Sequence, residues 1–530
     1  MRKARRLPVV ALLLILVLVA GTLPILSAEP AERVLIEYAP GTGDLVHDTI
    51  LATGGQIHHE FDRLNALAAT VTESVARQLG SDPNVLSVEE DAKRYPAADP
   101  VPVSDPSVEQ VMPYGVERVQ APQVWAEGYT GEGVTVCIID TGLYWEHEDI
   151  SDLGDYVIGG TSQDPASEWY EDGYGHGTHV AGTVTALDND IGVVGVSPGN
   201  VSLYMVKVFG QDGLWTTSSD LMAAAYICAE NGADIISMSL SGSAGPNPER
   251  KAFDELYEQG ILSVAAASND GTRHKAFPAS YDSVISVAAT DIDNNVADFS
   301  NQNRWVELAA PGVGVLSTVP NIPNSWLYVD EEAYQGQPME FAPYGTATGS
   351  LVNGGLCLAG DPSADWTDSV VLCERGEVSF AEKVTTVMAN DGTAAVIYNN
   401  APGLFSGTLG EEGDWIVAIS ISQEDGQAAL AYLGQRATVE TAPPIPGSSY
   451  EAWNGTSMAT PHVSGVAALL WSANPQWTNV QIREAMAMTA LDLGEPGRDI
   501  AYGYGLVQAY DALNYLLSMG PGQGPGGPHR

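Results

Sequence analysis

A serine hydroxyl attacks a carbonyl at neutral pH only when a base accepts its proton and a third group holds that base in place. Residues suited to these roles stand far apart in this chain of 530 residues. Asp140 closes the apolar run Val134-Thr-Val-Cys-Ile-Ile139 and leads into Thr141-Gly142. His176 opens the stretch His-Gly-Thr-His-Val-Ala-Gly182. Ser457 lies in Asn454-Gly-Thr-Ser-Met-Ala-Thr-Pro-His462, which enters a helical apolar pattern through Val463, Val466, Leu469 and Leu470. At such a loop-to-helix junction, unpaired backbone N–H groups and the positive helix end favour a developing oxyanion. The plain alternative for Ser457 is a helix N-cap.

Positioning these groups is the task of the segments around them. From about Glu109 to Pro320, short apolar runs at Val134–Ile139, Leu203–Val208, Ile235–Ser239, Leu262–Ala267 and Val284–Ala288 alternate with helical patterns. That alternation predicts an α/β fold, a parallel sheet flanked by helices on both faces. Asp140 would then stand at the C-terminal end of a buried strand, where open α/β sheets carry functional groups. The alternation stops after Pro311-Gly312 and resumes only at Ser457, so an insertion interrupts the domain.

The chain order Asp, His, Ser is one of three convergent orders of a catalytic triad. Through Asp140-Thr-Gly, His176-Gly-Thr-His-Val-Ala-Gly and Gly455-Thr-Ser-Met-Ala-Thr-Pro-His, the chain resembles the subtilisin-like serine proteases (subtilases, peptidase S8). The resemblance implies a secreted serine endopeptidase of broad specificity, with Asp140 as orienter, His176 as base and Ser457 as the nucleophile of an acyl-enzyme. It makes Asn269, in Ala267-Ser-Asn-Asp-Gly271, the side-chain donor to the tetrahedral oxygen beside the Ser457 backbone N–H. His179 and His462 are left as packing residues. Substrate is expected between two strands, Ser239-Leu240-Ser241-Gly242 and Ala266-Ala267-Ser268. Ser241 and Ser268 stand where the family usually has glycine, which would narrow the pocket for the residue before the cleaved bond.

The loop Leu187–Val193 resembles the high-affinity calcium loop of subtilisins. That likeness implies one structural calcium, held by the carbonyls of Leu187, Ile191 and Val193, by the Asn189 side chain, and by Asp149 and Gln110. Two other readings stay open: a narrow-specificity processing or virulence protease, and an inactive protein that binds through its insertion.

The ends and the insertion carry their own signals. Met1–Arg6 followed by the apolar Leu7–Leu26 reads as a signal peptide cut after Ala28 or Ala20, with a retained anchor as the alternative. No later stretch is apolar and long enough to span a bilayer. Residues 29–108 resemble the inhibitory and chaperoning propeptide of subtilases, a small α+β unit. It ends in a Pro/Asp/Ser-rich linker, with the cut between Lys93 and Glu109. Catalytic residues are expected in 109–320 and 447–518. Residues 321–446 resemble a β-rich protease-associated (PA) domain, and 519–530 form a Gly/Pro tail.

The chain has 67 acidic and 22 basic residues, a net charge of −45, which argues against nucleic acid as a partner. Protein or peptide substrates and its own propeptide are the expected partners of a secreted monomer that leaves the membrane once the signal is cut. Of the four cysteines, Cys357 and Cys373 are expected to pair. Cys137 and Cys228 are expected as packed thiols.

Overall fold

The computed structural model describes residues 30–519 apart from 98, 102–109, 151–156, 161–167, 200, 211–214, 321–324, 331, 340, 360–365, 377, 401–404, 406, 408, 410–412 and 443–448. The expected signal peptide and all but the first residue of the expected tail lie outside the described residues. No helix among the described residues is long and apolar enough to cross a membrane.

Period-two burial on both faces explains the central sheet. Val136 and Ile138 face one core with Leu203 and Met205, while Cys137 and Ile139 face another with Tyr204 and Val206. Strands apolar on both sides must be covered on both sides, which favours parallel pairing through helical crossovers. The sheet has seven strands in the order Val306–Pro311, Val284–Thr290, Leu262–Ala266, Ile235–Met238, Thr135–Asp140, Ser202–Lys207, Val157–Gly160. Every neighbouring pair is parallel. Helices Ser218–Glu230 and Asn247–Glu258 cover one face, and His176–Thr185, Thr456–Ala473, Asn479–Thr489 and Ala509–Ser518 cover the other. The chain passes from Ser202–Lys207 across Thr135–Asp140 to Ile235–Met238, so the strand order reverses around Asp140.

Thr456–Ala473 is apolar nearly all round and buried from Thr456 to Trp471, the pattern of a helix inside the core. Pro461 lacks the N–H that would reach the Ser457 carbonyl one turn back. That carbonyl instead accepts the Ser239 hydroxyl at 2.8 Å. Cys137 and Cys228, expected as free thiols, are joined in a disulfide. Both side chains point into the same core, from a strand and from the helix lying on it, with Cα atoms 5.7 Å apart. Cys357 and Cys373 are bridged as well.

Two further units attach to this domain. The N-terminal unit is an antiparallel sheet in the order Gln56–Phe61, Ala66–Thr72, Ala31–Tyr38, Val85–Glu90. One face packs Val34, Ile36 and Tyr38 with its own helices Gly43–Ala52 and Glu73–Leu79. The other places Leu35, Phe61 and Ala68 against Met222 and Ala252 of the two covering helices. The second unit springs from an antiparallel hairpin, Val315–Thr318 with Tyr450–Asn454. It is a closed seven-stranded barrel from Ser325 to Thr441, filled by Leu327, Leu351, Leu372, Val396, Ile419 and Val439. Its Phe380–Ala389 helix starts with a capping box between Ser379 and Glu382.

Leu469, wholly buried among helices and sheet, is a sensitive probe of the core. In a Ser457→Ala background, which removes the hydroxyl, Leu469→Ala is expected to lower stability by about 2–5 kcal/mol in equilibrium urea unfolding.

Candidate active site

Asp140 is the last residue of its strand and His176 the first of its helix. The two meet where the helix start abuts the strand end. His176 Nδ1 lies 2.6 Å from Asp140 Oδ1, with both side chains fully buried. With Nδ1–H donating to that carboxylate, the imidazole keeps a lone pair on Nε2, which has no hydrogen-bond partner among the described residues. A β-carbon on Gly177 would lie 2.1 Å from the Gly142 carbonyl, so only glycine lets helix and strand end approach this closely. Asp172, which sequence reasoning did not single out, anchors the helix start. Its carboxylate accepts the N–H groups of Gly175 and Thr178 at 2.8 and 2.9 Å and the hydroxyls of Thr141 and Thr178 at 2.8 and 2.6 Å. No spacing rule flags it, because it lies outside the helix it caps.

Ser457 is not an N-cap. The cap is Gly455, which has no side chain to offer the first N–H groups. The free N–H groups turn outward: Ser457 N–H donates to the carbonyl of Ala97 at 3.2 Å. Asn269 Nδ2 donates to the same oxygen at 2.6 Å. Asn269 is held for this task because its own Oδ1 accepts the Thr456 N–H and hydroxyl at 2.9 and 2.8 Å. The Ser457 hydroxyl donates to Ser239 O at 2.8 Å and accepts from Ala97 N–H at 3.0 Å. One carbonyl thus lies between two converging donors and beside a serine hydroxyl, the geometry of acyl transfer.

Lys93–Pro96 reaches that point as the middle strand of a three-stranded antiparallel sheet. On one side Leu240 and Ser241 pair with Pro96 and Tyr95. On the other, Thr216 and Thr217 pair with Arg94 and Lys93. This corrects the expectation that Ala266-Ala267-Ser268 supplies the second pairing strand. Ala266 is in register with Val287 in the central sheet, and the Ala267 N–H donates to Val287 O at 3.0 Å, so these backbone groups are already committed. Ser268 has φ +83° and its hydroxyl donates to Asp270 Oδ2 at 2.8 Å, while Ser241 donates to it at 3.2 Å. The only sequence hint of Thr216-Thr217 was a β-branched pair before a helix that Thr217 caps. Beyond Ala97, residues Asp99–Val101 pair antiparallel with Ala452–Asn454.

The other two histidines of the motifs, His179 and His462, are buried. His179 Nε2 lies 3.0 and 3.1 Å from the Val315 and Glu451 carbonyls. Burial pushes its pKa down to about 3, aided by the nearby His176. His462, bonded through Nδ1 to Met458 O at 2.8 Å, is pushed down to about 4 by burial. Both are neutral packing groups near neutral pH.

The loop expected to hold calcium is folded around Asp149 and Gln110. Gln110 Oε1 accepts the N–H groups of Asn189 and Asp190, each at 2.8 Å, and Asn189 Oδ1 accepts that of Ile191 at 3.1 Å. The Leu187 N–H donates to Asp149 O at 3.1 Å, and the Val193 N–H to Asp149 Oδ2 at 2.9 Å. Asp149 Oδ1 is buried without a partner, and burial pushes this carboxyl up to about 6. An unpaired carboxylate oxygen among amide and carbonyl oxygens suits a hard cation. Among the described residues no three His, Cys, Asp or Glu side chains converge as a metal cluster. Any cation here would therefore draw mainly on neutral oxygens.

Residues 131–336 and 380–505 match the Subtilase family, peptidase S8. Alkaline elastase YaB of Bacillus sp. (strain YaB) is 31% identical over 451 residues, which is 85% of this chain and 80% of that one. Subtilisin E of Bacillus subtilis (strain 168) is 29% identical over 470 residues, covering 88% and 85%. Among solved structures, the psychrophilic subtilisin-like protease Apa1 from the Antarctic psychrotroph Pseudoalteromonas sp. AS-11 superposes with a TM-score of 0.51 at 35% identity, over 77% of this chain and 98% of that one. Fervidolysin from Fervidobacterium pennivorans, a keratinolytic enzyme, shares the fold with a TM-score of 0.59 at 22% identity, over 92% of this chain and 61% of its own. A triad-like pair, a two-donor carbonyl site and a family match over most of the length lead to one assignment: the chain belongs to the subtilase family, the S8 peptidases.

Proposed function

We propose that this chain is a secreted serine endopeptidase made as a self-cleaving zymogen. The observation that carries this reading is the placement of the Ala97 carbonyl between Ser457 N–H and Asn269 Nδ2, with the flanking chain paired into the cleft on both sides. His176 takes the proton of Ser457 through Nε2 after the hydroxyl turns from the Ser239 carbonyl, and Asp140 stabilises the imidazolium. Attack on the Ala97 carbonyl gives a tetrahedral oxyanion held by the two donors. Collapse breaks the bond to Ala98, His176 protonates the new amine, and water then hydrolyses the acyl-enzyme.

Residues 30–97 act as the propeptide. After cleavage they still block the cleft, because their carboxylates hold helix starts that would otherwise be open. Asp91 accepts the Ser219 N–H and hydroxyl at 2.8 and 2.6 Å, and Glu89 accepts the Asn247 N–H at 3.2 Å. Arg33 bridges Asp91 and Asp220 at 2.7 and 2.8 Å. The barrel is read as a PA module framing the rim, since its Arg375 lies 3.6 Å from Glu171, beside the residue that caps the His176 helix. Calcium at Asp149, Asn189, Gln110 and the loop carbonyls of Leu187, Ile191 and Val193 would neutralise the unpaired carboxylate and clamp the loop to the residues after the linker.

Wild-type protein is expected to mature to an N-terminus at Ala98, read by intact mass and N-terminal sequencing, whereas Ser457→Ala stays as precursor. Loss of the prosegment in cis from that variant would overturn the Ser457 assignment. Replacing Asn269 with alanine removes one oxyanion donor and should lower kcat on peptide substrates by about a hundred- to a thousandfold at little change in KM. For the cation, thermal melting of Ser457→Ala precursor is the readout. A chelator should lower Tm, and Asp149→Asn should blunt that response. In the cation-free protein the folded state binds the Asp149 proton more tightly than the unfolded chain. Stability should therefore fall as pH rises from the ordinary 3.8 to about 6, and calcium should oppose that fall.

A further inference from the structure

The Arg94 side chain is fully buried, although it belongs to a segment lying in an otherwise open cleft. Counting back from the bond after Ala97, it is the fourth residue. Its Nη2 donates to Glu249 Oε2 and its Nη1 to Lys93 O at 2.9 Å. Glu249 is also fully buried, in the first turn of Asn247–Glu258, where it accepts the Ser218 hydroxyl from the neighbouring helix start. Arg94 Nε and Glu249 Oε1 are both buried and have no hydrogen-bond partner among the described residues. Gly242 makes the room, since a β-carbon there would lie 2.6 Å from Arg94 Nη1 and 2.2 Å from Lys93 O.

We propose that Glu249 makes the fourth upstream subsite an arginine pocket, so that the mature enzyme selects substrates with Arg four residues before the cleaved bond. This deepens the peptidase reading and rests on it. The Asp91, Glu89 and Arg33 contacts already hold the prosegment on the two helix starts without a buried ion pair in the cleft. Burying two charges is costly unless they are well paired, so a fixed carboxylate penalises every occupant that cannot answer it. Apolar side chains leave Glu249 unpaired, acidic ones repel it, and the single ammonium of lysine lacks the guanidinium fork. Neighbouring positions read little: the Tyr95 side chain is 47% exposed, and Lys93 lies over the Trp215 ring at 4.1 Å, at the edge of the groove. Burial raises the Glu249 pKa, with Arg94 opposing it.

Internally quenched peptides Lys-X-Tyr-Pro-Ala-Ala-Asp, with X as Arg, Lys, Leu or Asp, test this on mature enzyme whose active sites are counted by fluorophosphonate labelling. The kcat/KM for Arg should exceed that for Leu by about a hundredfold, and Glu249→Gln should shrink the ratio sharply. A wild-type Arg-to-Leu ratio within about threefold, with Ser457 labelled and both peptides cleaved, overturns the subsite while leaving the peptidase reading intact. If no peptide is cut and Ser457 is not labelled, the peptidase reading fails and the subsite with it. Should Glu249→Gln fail to mature, the wild-type ratio alone decides.

Discussion

An uncapped helix start is the feature on which the cleft depends. Most buried helices satisfy their first N–H groups with a Ser, Thr, Asp or Asn side chain. Thr456–Ala473 begins after a glycine that offers no such group. The Thr456 N–H is taken by Asn269, and the Ser457 N–H is left to a carbonyl that enters from outside the domain. Because the helix is buried on every side, those donors cannot turn to other partners. Their fixed direction is what allows a developing negative charge to be met without reorganisation. Pro461 contributes at the same point, since the Ser457 carbonyl it leaves free is tied to Ser239, the residue whose own carbonyl holds the serine hydroxyl.

The same logic of unsatisfied helix starts explains how the N-terminal unit docks. Helices Ser218–Glu230 and Asn247–Glu258 present N–H groups to a sheet edge that supplies Asp91, Glu89 and the Ala92 carbonyl. In a chain of net charge −45, most acidic neighbours would repel one another. Here helix dipoles, hydroxyls, Arg33 and Arg94 absorb the negative charge. Docking is thus specific where bulk electrostatics would oppose it. The apolar patch of Leu35, Phe61 and Met222 supplies area, while the polar contacts fix the register that delivers Ala97 to Ser457.

The barrel leaves the sheet intact because its two connections are paired strands. Val315–Thr318 and Tyr450–Asn454 close their own ladder before the chain departs. A large insertion at such a hairpin costs little in loop closure. Its placement matters all the same, because Trp453 on the returning strand lies 5.1 Å from the His179 ring and 6.1 Å from the His176 ring. The element that carries the chain back from the barrel is therefore also a wall of the site.

What the sequence determined by itself was local chemistry and periodicity. The alternating apolar runs were enough for a two-faced parallel sheet, because burial on both sides leaves a pattern that neighbours in sequence can show. Asp140, His176 and Ser457 stood out because each lies at a strand end or in the first turn of a helix beside small residues, whereas Asn269 was named only through the resemblance to subtilases. Only the tertiary structure decided which distant backbones were free to pair. Thr216-Thr217 replaced Ala266–Ser268 beside the incoming strand because the latter's hydrogen bonds were already committed to the central sheet. The Cys137–Cys228 bridge, the Asp172 cap and the Arg94–Glu249 pair were hidden for the same reason. Each joins residues tens to more than a hundred positions apart or lying outside the element they serve, and their meaning comes from desolvation, which a linear sequence does not display.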